Sequence, residues 1–93
     1  MHEKHLTEDL VGKLEAIAAA EGAARVRRIE VRLGALSHFT PGHFREHFDD
    51  AAAGTLAEGA EIEAELDTDP TAPGAQGVLL ETVELEFEKE RPT

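Results

Sequence analysis

Residues Gly22–Ser37 read GAARVRRIEVRLGALS. Val26, Ile29, Val31 and Leu33 supply the apolar positions, and the last three alternate with Arg28, Glu30 and Arg32. That is the period of a strand buried on one face. Gly22 ends whatever precedes it, and Gly34 closes the strand at a turn that a side chain would resist. The segments on both sides read as helices, so the fold is organised around this strand.

Upstream, Leu6, Leu10, Leu14 and Ile17 fall on one helical stripe. The alanine-rich run 16–20 favours helix, with Gly22 at the position just past the end. The start is open: Thr7 caps the helix, or the helix begins nearer Lys4. Downstream, 35–39 form a loop. Thr40 and Pro41 then open a second helix, a capping hydroxyl followed by proline in the first turn. Phe44, Phe48 and Ala51 or Ala52 form its buried stripe, and Gly54 ends it.

The second strand is expected over Ala60–Leu66, with Ile62, Ala64 and Leu66 inward and Glu61, Glu63 and Glu65 outward. Residues 67–77, DTDPTAPGAQG, have loop composition. The third strand is expected over Val78–Glu88, with Val83, Leu85 and Phe87 inward. Val78 and Leu80 are out of step with that set, which predicts a bulge near Glu81 and Thr82. The tail from Lys89 to Thr93 is expected to fray.

Each strand has one apolar and one charged face, which calls for a single sheet covered on one side. The prediction is a two-layer α+β domain: a three-stranded mixed sheet with two helices on one face, in the order α-β-α-β-β. Strands 2 and 3 both present glutamates, whereas strand 1 presents Arg28 and Arg32. Placing strand 1 in the middle pairs its arginines with both acidic rows, which gives the order 2-1-3.

Ninety-three residues make one domain, 1–93. With no cysteine, disulfides and thiolate metal sites are excluded. A net charge of −11 argues against nucleic acid and anionic membranes as partners. No apolar run approaches a membrane span, and residues 1–5 do not resemble a signal peptide, so a soluble cytoplasmic protein is expected. No nucleophile–base pair or phosphate-binding glycine loop is present, and the chain reads as a non-enzyme.

The histidines carry the chemistry. A short turn joins helix 1 to strand 1, so the two run back to back. The start of helix 1 then lies beside the end of strand 1, where helix 2 also begins. His2, His5, His38 and His43 gather at that end, with His47 one turn further on. His43 and His47 have a spacing that suits a metal, but they border the Phe44/Phe48 stripe and read first as boundary residues. His2 is distinct. A free terminal amine, the backbone nitrogen of residue 2 and its imidazole can form fused chelate rings, a planar nitrogen set that suits Ni(II) or Cu(II).

Three segments bear on this reading. The chain opens Met1-His2-Glu3, runs from Ile29 to Ser37 as IEVRLGALS, and reads GTLAEGAEI from Gly54 to Ile62. It resembles the HypA family, nickel metallochaperones of hydrogenase and, in some organisms, urease maturation. The likeness covers nearly all of 1–66 and 77–88, with Val83-Glu84-Leu85 similar to that family's last strand. The resemblance implies Ni(II) held by Met1, His2 and Glu3, through the histidine side chain and nearby backbone nitrogens. It also implies a hydrogenase large subunit and a maturation GTPase as partners. The family's zinc-binding subdomain, with two Cys-x-x-Cys pairs between the last two strands, is missing. Residues 67–77 stand in its place, without zinc. The family often has an acidic residue at the position of Thr40, and His38 is the natural substitute for it as a nickel ligand. The alternative reading is a zinc-free paralogue that acts as a protein-interaction module without metal transfer.

Overall fold

The computed structural model describes residues 2–88, with side chains from residue 5 onward. Five elements follow one another: α1 (His2–Glu21), β1 (Arg25–Leu33), α2 (Pro41–Ala52), β2 (Glu61–Leu66) and β3 (Val78–Glu86). The sheet order is β2-β1-β3, the expected one, with β1 in the centre. β1 runs parallel to β2 and antiparallel to β3. The parallel pair needs a crossover, and α2 provides it. The architecture is the expected α+β one.

α1 begins at His2, two residues before Lys4, so the second of the two expected starts, which leaves Thr7 inside the helix, is the one found. Thr7 lies inside the helix and is fully buried rather than capping it. At 20 residues the helix spans about 30 Å, close to the roughly 30 Å of a nine-residue strand. Helix and strand therefore match in length, and the two ends meet. The turn between them is a Schellman cap. Gly22 has φ 71°, the Ala23 N–H donates to the Ala18 carbonyl at 2.9 Å, and the Gly22 N–H donates to the Ala19 carbonyl at 3.2 Å.

The core lies between the helices and one sheet face. Leu10, Val11, Leu14 and Ala18 of α1 and Phe44, Phe48 and Ala52 of α2 bury against Val26, Ile29, Val31, Leu33 and Ile62. Three expected core positions differ. Ile17 is 37% exposed, because the buried stripe of α1 runs through Thr7, Val11 and Ala18 instead. Leu66 is 45% exposed as the terminal residue of an edge strand. Phe87 is 52% exposed because β3 ends at Glu86, opposite Arg25, at the first residue of β1. The predicted bulge is present. Glu30 pairs with Thr82 and Val31 with Leu80, which leaves Glu81 as the extra residue. That insertion brings Val78 and Leu80 onto the same side as Val83 and Leu85.

The open sheet face carries the charges. The Arg28 guanidinium contacts Glu30, Glu63 and Glu84, and Arg32 Nε lies 3.3 Å from Glu81 Oε2. The expectation about Lys89–Thr93 lies outside the described residues.

Candidate metal centre

The first turns of α1 and the exit of β1 meet at one end of the domain. There His5, Leu6, Leu36, Ser37, His38 and Gln76 line an open cleft of about 500 Å³. The β1–α2 connection that forms its wall is tightly built. The Ser37 N–H donates to the Gly34 carbonyl at 3.0 Å, and Ser37 Oγ accepts from the Phe39 N–H at 3.3 Å. The 67–77 loop packs onto this turn. The Gly34 N–H donates to the Gly77 carbonyl at 2.9 Å, and the Leu36 N–H donates to the Ala75 carbonyl at 2.7 Å. A Cβ on Gly34 would stand 2.1 Å from the Ala75 carbonyl oxygen. Close approach of the loop backbone, rather than a special backbone angle at the turn, is why glycine is needed there.

His38 follows with φ 67°, the one non-glycine residue with positive φ among those described. Its side chain is exposed. Left-handed backbone disfavours L-residues, so the following chain is aimed at some cost. Phe39 then turns inward, 3% exposed, and Thr40 caps α2 by accepting the His43 N–H at 3.2 Å. Thr40 is thus occupied as a cap.

Of the four ligand positions read from the sequence, the structure describes one side chain, that of His38. Met1 lies outside the described residues. His2 and Glu3 are in the first turn of α1, and their side chains also lie outside the description. The backbone N–H groups of a first helical turn have no intrahelical acceptor and are free to serve elsewhere. His5 shares the cleft with His38, with Nδ1 3.9 Å from Glu8 Oε1.

His43 and His47 form a separate cluster. Their Nε2 atoms are 2.9 Å apart, with ring centroids separated by 4.5 Å. Phe39 packs edge-on against both rings, at centroid distances of 5.8 and 6.1 Å. Both histidines are half-buried, as boundary residues are. Spacing alone put them on one face; it could not show that their ring nitrogens turn toward each other. No group of three or more histidine or carboxylate side chains is arranged around one metal position among the described residues.

A family model described as hydrogenase/urease nickel incorporation, metallochaperone, hypA, matches residues 1–71. The chain belongs to the HypA family. The HypA hydrogenase maturation factor of Chlorobium limicola is 43% identical over 65 residues, covering 70% of this chain and 56% of that one. The Methylocella silvestris factor is 41% identical over 66 residues, covering 71% and 58%. This HypA-family chain therefore spans just over half the length of the curated relatives it matches. The solution structure of the Ni metallochaperone HypA from Helicobacter pylori superposes with a TM-score of 0.76. It covers 92% of this chain and 98% of that one at 16% identity, a likeness of fold. HypA metallochaperones are not enzymes. The sequence match ends at Thr71, so the likeness of β3 rests on the fold. The 93 residues hold no cysteine, and a thiolate zinc site is absent from them. No described helix is long and apolar enough to cross a membrane.

Proposed function

We propose that this protein carries Ni(II) for the maturation of a hydrogenase or a urease, held at its N-terminus by Met1, His2 and Glu3 with His38 closing the site. One observation carries the reading: the family match takes in residues 1–71, and early α1, through His5 and Leu6, shares a cleft with the loop bearing His38. The donor chemistry fits. Amine, amide and imidazole nitrogens suit Ni(II), and the first-turn amides can release their protons without breaking a helical hydrogen bond. The left-handed His38 supports the reading, since glycine would serve a purely structural turn at less cost. In this reading residues 1–93 are one nickel-binding domain of a cytoplasmic protein. The 67–77 loop replaces the zinc subdomain, and the partners are a hydrogenase large subunit and a maturation GTPase. The acidic sheet face supports the second reading, a protein-interaction module that no longer transfers metal.

Calorimetry and visible absorption with Ni(II) on untagged protein test the proposal. The expected result is one strong site with the spectrum of a planar, diamagnetic complex. Binding should weaken as pH falls through the imidazole range, because protons compete for every donor. His2→Ala and acetylation of the amine should each abolish it, and His38→Ala should weaken it. A planar complex that persists in His2→Ala would overturn the proposal.

A further inference from the structure

We propose a second metal site, independent of the N-terminus, in which His43 and His47 of α2 chelate one divalent cation of the Cu(II) or Ni(II) class through their Nε2 atoms. The two ring nitrogens are in hydrogen-bond contact in the metal-free fold, and their spacing also matches what chelation requires. Two nitrogens bound at right angles, with metal–nitrogen bonds of about 2.0–2.1 Å, stand about 2.9 Å apart; at a tetrahedral angle they stand about 3.3 Å apart. The observed separation is 2.9 Å. The ring centroids give an independent check. Each lies about 1.15 Å behind its nitrogen, so a right-angled chelate places the centroids about 4.5 Å apart, whereas a linear N–H···N bond places them about 5.2 Å apart. They are 4.5 Å apart.

The pair is also held in place. Helical spacing of four residues puts both rings on one face, and the buried Phe39 packs edge-on against each. His47 further lines a cleft of about 420 Å³ together with Glu8 and Asp50, whose carboxylates favour a cation nearby. Right-angled nitrogen ligands select tetragonal Cu(II) or Ni(II) over tetrahedral Zn(II). Two protein donors leave the remaining positions to water, an arrangement suited to passing a metal on.

The test uses full-length protein acetylated at its amine, which removes the N-terminal chelate and leaves α2 intact. Cu(II), the strongest binder of the series, is the probe, followed by visible absorption and electron paramagnetic resonance. One equivalent should bind, with nitrogen hyperfine structure from two imidazoles. His43→Gln, His47→Gln and His47→Ala should each weaken binding at least tenfold, with circular dichroism verifying that each variant is folded. The proposal is overturned if the acetylated protein binds no Cu(II), or if the folded single variants bind it as tightly as their parent. Because the amine is blocked throughout, neither result bears on the N-terminal site.

Discussion

His38 holds a backbone conformation that an L-residue adopts only at a cost, and it does so at the mouth of the cleft beside α1. A glycine would relax the backbone while adding entropy to the unfolded chain, so the two effects oppose each other. His38→Gly should therefore be neutral or stabilising by up to about 1 kcal/mol in urea unfolding. The same variant should bind Ni(II) more weakly, since its imidazole is gone. Strain kept at a site for its chemistry predicts this opposition. A variant that loses more than about 1 kcal/mol would show that the imidazole serves the fold instead.

β1 is the element on which the charged face depends. Arg28 lies in the middle of the sheet, and its hydrogen bond and charge hold the Glu30 carboxyl below the usual glutamate range. The sign of the consequence follows from linkage. A carboxylate with a depressed folded-state value binds fewer protons in the native state than in the unfolded one. The stability it contributes is present above the ordinary glutamate range and is lost as pH falls through its lower, folded-state value. Glu30→Gln should thus be less stable than the parent at neutral pH, and the two stability curves should converge on acidification. Urea midpoints between neutral and strongly acidic pH measure this, and curves that stay parallel would remove Glu30 from the acid-sensitive set. The glutamates opposite Arg28 also explain why strand order was readable. Glu63 and Glu84 belong to the two edge strands, and only a central β1 lets one guanidinium reach both.

Across the molecule, alternation and charge located the sheet, its order and even the Glu81 bulge, because each strand is buried on one face only. The ends were harder. Leu66 and Phe87 continue the alternation, but periodicity does not register where a ladder stops. Thr7 could be read as a cap or as an interior residue, because hydroxyl residues favour caps, and burial against the core is what sets its place inside α1. At the site, connectivity was enough to bring His38 to the helix start, yet the facing nitrogens of His43 and His47 depend on ring rotamers fixed by Phe39 from outside their helix.

The core also decides what metal does to stability. Leu14, Ile29, Leu33, Phe44 and Phe48 are fully buried without help from any thiolate cage, and His38, His43 and His47 lie outside that buried set. In the proposed reading metal is cargo that binds a finished structure, unlike a zinc finger that folds around its ion. Ni(II) at a hundred times its dissociation constant should stabilise the domain by about 2.7 kcal/mol through mass action alone. For a chain of this length each kcal/mol raises Tm by about 4–8 °C. Excess EDTA should return Tm to the metal-free value and no lower, with the far-ultraviolet circular dichroism unchanged. A chelator-treated protein that melts well below the metal-free baseline, or loses helical signal, would mean that an ion is part of the fold and that nickel is not merely carried.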